Sequence, residues 1–415
     1  MTPLDLEFVR AQFPAFEHPE SRSWAHLENA GGSYAPHQVI ERLQHFFTAT
    51  KVQPYWDFGP SKTAGEAMDI AKQRLPATFN ADPDEVHFGP STTQNTYVMA
   101  NALKAQMRPG DEVIVTNQDH EANIGAWRRL TDAGIVVREW GVDPESGLLS
   151  LESLQPLLTD RTTLVAVTHA SNVAATINPI EEISALAREV GALVVVDGVS
   201  FAPHSDVDVR ALGCDVYMYS AYKTYGPHVG MMYVERSLAQ ELENQGHYFN
   251  ADNLTAKLVP AGPDHAEIAA SAGILSYYDS VYRHHLAGSP DNDVELVRAV
   301  FALFGAHEQE LMTPLVDYVV GHDDLVLVGT HSADRAHRAP TIAFYSPRIA
   351  SVEIYNGLVA SQISCGHGNF YARRLVEAMG LDAEDGVVRL SMVHYNTLDE
   401  VTRAIETLDS IVARA

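Results

Sequence analysis

Ala192-Leu193-Val194-Val195-Val196-Asp197 and Val216-Tyr217-Met218-Tyr219-Ser220-Ala221-Tyr222-Lys223-Thr224-Tyr225-Gly226-Pro227 decide the fold. Each is a short apolar run, rich in β-branched or aromatic residues, that closes on polar and charged residues. Such runs, bounded by glycine and proline, read as buried strands. Working outward, similar runs occur at Glu85–Phe88, Glu112–Thr116, Val136–Trp140, Thr163–Thr168 and Gly230–Val234. Between them Thr93–Lys104, Glu121–Ala133 and Pro179–Val190 carry apolar residues near a 3.6-residue period and read as crossover helices. The alternation predicts an α/β fold: a seven-stranded, mostly parallel sheet with helices on both faces.

The 415 residues exceed one typical core, so a large domain with a smaller one attached is expected. We place the boundaries at 1–25 for an N-terminal segment, 26–290 for the large domain and 291–415 for a small α+β C-terminal domain. Upstream of the sheet, Pro36–Thr48 and Lys62–Thr78 read as helices. Turn-rich Tyr248–Asp264 reads as the hinge region, followed by a helix over Ala266–Tyr282. The C-terminal part predicts a helix over Val294–Val320, broken near Pro314, strands at Leu325–Val328, Thr341–Ser346 and Val387–Val393, and a last helix over Leu398–Ala413.

A net charge of −26 repels a phosphate backbone and argues against nucleic-acid partners. The apolar runs fall short of a membrane span, so no membrane association is expected. The first residues lack the pattern of a secretion signal, which leads us to expect a cytoplasmic protein. Two cysteines cannot build a disulfide framework, and neither belongs to a pair spaced for metal. Nineteen histidines include no helical His-x-x-x-His pair beside a carboxylate base, so no metal site is expected.

In a parallel sheet, ligands sit beyond the carboxyl ends of the strands. The residues at those positions form a set. Gly89-Pro90-Ser91-Thr92-Thr93 offers hydroxyls and free amides at the start of a helix, which suits a phosphate, although the same cluster also makes ordinary helix caps. His120 could stack on an aromatic cofactor or serve structurally. Asn172 could donate to a phenolate oxygen or simply occupy a turn. Asp197 follows four apolar residues and would be neutral there unless a cation pairs with it. Lys223 ends a buried strand among aromatic residues, a poor place for a solvated charge. An amine and an anionic partner at neighbouring strand ends are what pyridoxal 5'-phosphate (PLP) requires at its aldehyde and its ring nitrogen.

Five stretches in this order carry a resemblance: His26-Leu27-Glu28-Asn29-Ala30-Gly31-Gly32, Asp119–Ile124, Thr168-His169-Ala170-Ser171-Asn172, Ser220–Pro227, and Val388–Thr397, which contains Arg389. The chain resembles the fold-type-I PLP-dependent class V aminotransferases, specifically the cysteine desulfurase-like subgroup, over nearly its whole length. The resemblance implies that Lys223 forms the covalent link to PLP and is catalytic, as is His120, which stacks on the ring. It implies that Asp197 holds the ring nitrogen, Asn172 and Ser200 lie near the ring oxygen, and Thr92, Thr93, Ser220 and Tyr222 cradle the phosphate. Arg389 matches the residue that grips a substrate carboxylate, and Asn29 is expected in the substrate pocket. The family is usually a homodimer in which a partner loop completes each phosphate site. Ala261-Gly262-Pro263 resembles that loop and nominates Gly262.

The departures bear on the reaction. Desulfurases of the iron–sulfur-assembly type carry a loop cysteine after a Gly-His pair, whereas this chain has Asn369 and Phe370 there, with Cys365 before the pair as the candidate sulfur acceptor. Ser200 stands where relatives often have Gln or His, and Tyr222 where iron–sulfur desulfurases have histidine. The expected activity acts on a small amino acid through an external aldimine and Cα deprotonation by Lys223. Desulfurase-like or C–S lyase chemistry leads. Class V aminotransferase or epimerase activity is the alternative, and a non-catalytic PLP-fold binding protein the alternative of another class.

Overall fold

Strand parity builds the architecture. Ile114, Val165, Val167, Val194, Val196, Tyr217 and Tyr219 belong to one buried cluster, while their chain neighbours Val113, Val115, Leu164, Ala166, Val195, Val216 and Met218 belong to another. Successive side chains of a strand point to opposite faces, so both faces of this sheet are covered. The computed structural model describes residues 3–262 and 264–414. Its central sheet contains β1 (Val86–Gly89), β2 (Glu112–Thr116), β3 (Val136–Trp140), β4 (Thr162–Thr168), β5 (Leu193–Asp197), β6 (Val216–Ser220) and β7 (Gly230–Val234). Their spatial order is β1-β7-β6-β5-β4-β2-β3. All neighbouring pairs are parallel except those made by β7, which runs antiparallel to β1 and β6. The expected seven-stranded α/β sheet is present, with ends shifted by a residue at most.

One face packs against the helices Thr92–Lys104 and Glu121–Arg128 through Met99, Leu103, Ile124 and Trp127. The other packs against Ile180–Glu189, Gly59–Arg74 and His265–His285. A second core forms around a four-stranded antiparallel sheet of β8 (Val326–Leu327), β9 (Thr341–Tyr345), β10 (Gly366–Gly368) and β11 (Val387–Ser391), ordered β10-β11-β9-β8. The final helix, Leu398–Val412, places Val401, Ala404 and Leu408 in this core.

Three expectations need correction. The helix Asp293–Gly321 runs unbroken through Pro314. Proline there removes the donor to the carbonyl of Glu310, an exposed residue whose oxygen water can satisfy. The chain passes between the cores inside this helix, not in the turn-rich stretch before it: Leu296, Val300 and Phe304 sit in the first core, and Leu311, Leu315 and Val319 in the second. The first 25 residues are not a separate segment either. Val9 and Phe13 are fully buried in the large core, with the Phe13 ring 4.9 Å from Tyr395 and 5.1 Å from Tyr277. Ala25–His26 then pairs in parallel with Ile363–Ser364 in the second core. The strand Gly366–Gly368 was not expected, because a Gly-His-Gly run lacks strand propensity and is held by pairing with β11. No helix among the described residues is long and apolar enough to cross a membrane.

Candidate active site

The carboxyl ends of β4, β5 and β6 meet in register. Thr168 faces Asp197, and Asp197 faces Met218, so Ser220 and the turn Ala221–Lys223 rise beyond them on the same edge. A cleft opens there, lined by Ser91, Thr92, Thr93, His120, Asn172, Asp197, Ser200, Ser220, Tyr222 and Lys223 together with Ala122, Thr168, Val199 and His228. Nine residues named singly from the sequence, and Ser91 of the Gly89–Thr93 cluster, thus converge on one cleft.

One end of the cleft is built for an anion. Ser91 caps the helix Thr92–Lys104 by accepting from the N–H of Gln94. The N–H groups of Thr92 and Thr93 lie ahead of the helical ladder, where the helix dipole favours negative charge. The hydroxyls of Thr92 and Ser220 are 2.7 Å apart. Gly230 makes this possible: a Cβ there would lie 2.3 Å from the carbonyl carbon of Ser91 and 2.5 Å from the nitrogen of Thr92. His228, its ring stacked on Tyr222 at 4.9 Å and its Nδ1 3.2 Å from the carbonyl of Pro90, closes the same end. The sequence reading missed His228. The available signal was the β6–β7 hairpin, whose turn must fold over the strand ends that carry Lys223.

At the cleft floor Lys223 and Asp197 are buried and each feels the other's charge. Burial pushes the Lys223 amine down to about 8, with Arg389 adding to the effect and Asp197 and Glu28 opposing it. Burial raises the Asp197 carboxyl, and Lys223 pulls it back. Oδ1 of Asp197 accepts from the N–H of Val199 at 2.9 Å, and no donor among the described residues reaches Oδ2. His120 caps the helix Glu121–Arg128, its Nδ1 accepting from the N–H of Ala122 at 3.0 Å, which places its proton on Nε2. Burial, then Lys223 and Arg389, lower it to about 4, so this ring is neutral at pH 7.

The remaining nominated residues are disposed differently. Asn172 lines the cleft, but its amide donates to the carbonyl of Phe370 at 2.8 Å, and the atom left without a partner is the acceptor Oδ1. Arg389 is buried beside the cleft, bonded to the carbonyl of Asn172 at 3.1 Å and to Glu28 at 2.5 Å. Asn29 lies outside the cleft. Its amide donates to the carbonyls of His26 and Ser391 and to Asn396, and its oxygen accepts from Tyr395. Cys365 is buried in the second core, where burial and Glu28 push its thiol up to about 12. Gly262 lies on a separate surface groove with His265 and Pro260; Pro263 falls outside the described residues.

These groups fit PLP. A depressed amine suits the aldehyde, an unpartnered oxygen of Asp197 suits the ring nitrogen, and a helix N-terminus with two hydroxyls suits the phosphate. Residues 25–257 match the family model Aminotransferase class-V. The chain belongs to the class V aminotransferase family. It is 35% identical over 98% of both chains to the Aminotransferase-like protein FGM3 of Gibberella zeae. It is 30% identical to the Cysteine desulfurase of Salmonella gallinarum, again over 98% of both chains. The fold superposes on the apo cysteine desulfurase from Thermococcus onnurineus NA1 with a TM-score of 0.85, covering 100% of each chain at 21% identity. As a class V member of the cysteine desulfurase-like group, the protein is a PLP-dependent enzyme.

Proposed function

We propose that this enzyme cleaves the bond between the β-carbon and sulfur of cysteine or an S-substituted cysteine, and that it releases the thiol without loading it onto a protein cysteine. One observation carries the reading: Lys223 and Asp197 share the floor of a cleft that, among the described residues, no thiol lines. The similarity to cysteine desulfurases supports a cysteine-like substrate. Bound PLP supplies an electron sink for the substrate's Cα.

Lys223, near 8, is the group able to take the Cα proton at neutral pH. Asp197, raised by burial and pulled back by Lys223, would hold the ring nitrogen at the floor as the partner of its positive charge. Thr92, Ser220 and the helix N-terminus would hold the phosphate, and His120, neutral, would stack on the ring. The electron pair from the Cα–H bond expels the β-sulfur as a thiol. The remaining three-carbon unit takes up water, and L-cysteine gives pyruvate, ammonia and hydrogen sulfide with no external oxidant or reductant.

Reconstituted protein given L-cysteine and S-substituted cysteines should release pyruvate and thiol in equal amounts. Alanine with a persulfide on Cys365 would refute the reading. Transamination is the second reading, supported by the 35% identity to an aminotransferase-like protein; stoichiometric pyridoxamine phosphate would establish it instead.

The working unit in this proposal is a homodimer. Trp56 is 65% and Tyr248 89% exposed, with Tyr55, Phe58 and Phe249 also half-exposed or more, and a second copy would cover such aromatic surface. A partner's Gly262 would then close the phosphate end. Light scattering on the holoenzyme tests this, and a fully active monomer would refute it. The two buried free cysteines support a reducing, cytoplasmic setting.

A further inference from the structure

Arg389 was expected to grip a substrate carboxylate, yet its guanidinium is already engaged. Phe370 covers one face of the group at 3.9 Å. Nη1 donates to the carbonyl of Asn172, Nη2 is paired with Glu28, and Nε is buried without a partner. Nε and Nη2 form the edge that binds a carboxylate side-on, through two parallel hydrogen bonds. Glu28 fills half of that edge and leaves the other donor unsatisfied, which is costly in a buried site.

The position of Glu28 is fixed from its backbone. Glu28 bridges to Ser391, two residues beyond Arg389 on the same strand. Its carboxylate lies over two positions that have no Cβ: a methyl on Gly31 would come 2.0 Å from Oε2, and one on Gly366 would come 3.2 Å from Oε1. Arg389 is 4% exposed and Glu28 25%, so of the two partners Glu28 is the one that can move toward water.

We infer that Glu28 is a specificity-determining residue that occupies the carboxylate slot of Arg389 and is displaced when the substrate's carboxylate takes the Nε–Nη2 edge. Binding is then an exchange of carboxylates. The incoming group gains the second hydrogen bond that Glu28 does not make, and a ligand without a carboxylate leaves the slot closed. The inference rests on the substrate being an amino acid and is independent of which bond is cleaved.

The test uses propionate, which has neither amine nor thiol and undergoes no turnover, titrated calorimetrically into holoenzyme. Glu28→Gln keeps the shape and removes the competing charge, and should bind propionate at least about tenfold more tightly than wild type. Glu28→Asp, which withdraws the carboxylate by one methylene, should shift affinity in the same direction by less and serves if the first variant does not fold. Arg389→Ala should abolish binding. Equal or weaker binding in both Glu28 variants, or binding that persists without Arg389, would overturn the inference. Failure of the C–S cleavage reading leaves this experiment unaffected.

Discussion

Thr92 and Ser220 share a hydrogen bond of 2.7 Å between their hydroxyls, and this contact ties the first turn of a helix to the end of β6. It depends on Gly230, which faces Ser220 across the β6–β7 pair and has the Ser91–Thr92 backbone against its Cα. Gly230→Ala places a methyl against backbone that cannot rotate away. Overpacking of this kind costs about 1–3 kcal/mol. Thermal melts should show that loss, and PLP titration should show a weakened cofactor site. Unchanged PLP affinity would mean that this junction does not form the phosphate cradle.

Lys223→Ala should abolish the visible absorbance of the reconstituted protein and leave the circular dichroism spectrum intact. Retained absorbance would remove Lys223 as the anchor.

The cofactor-free protein should report Lys223 through pH. Below about 8 both native and unfolded chains carry the proton, and the native state bears the cost of a buried cation. Between about 8 and the ordinary value of 10.5 only the unfolded chain binds it, so stability rises with pH across that window. The difference in melting temperature between wild type and Lys223→Met should therefore shift in favour of wild type from pH 8 to 10. A difference that stays flat would place the amine in water.

Asp197→Asn removes the charge at the cleft floor and keeps the acceptor for the N–H of Val199. Exchange of the substrate Cα proton for solvent deuterium should slow by at least about a hundredfold, the lower end of what positioned groups contribute to proton transfer. Exchange at the wild-type rate would dissociate Asp197 from the ring nitrogen.

Cys365→Ala should leave pyruvate release within about twofold of wild type and cost on the order of 1 kcal/mol for the lost buried side chain. A larger loss of turnover, with folding intact, would return this thiol to the reaction.

The sequence by itself determined the sheet and most of the cleft. Short continuous apolar runs specify strands buried on both faces, and residues just after such runs must gather on one edge of a parallel sheet. That rule placed Thr92, His120, Asn172, Asp197, Ser220 and Lys223 together without any knowledge of their contacts. Only the tertiary structure decided what those groups are bonded to. Glu28 meets Arg389 across 361 positions of chain, and Phe370 takes the donor of Asn172 across 198. Cys365 is buried in a core to which the helix Asp293–Gly321 and the helix Leu398–Val412 both contribute. Periodicity reports which face of an element a residue occupies; the partner of a buried polar atom is set by elements far apart in the chain packing against each other, and no local pattern encodes it.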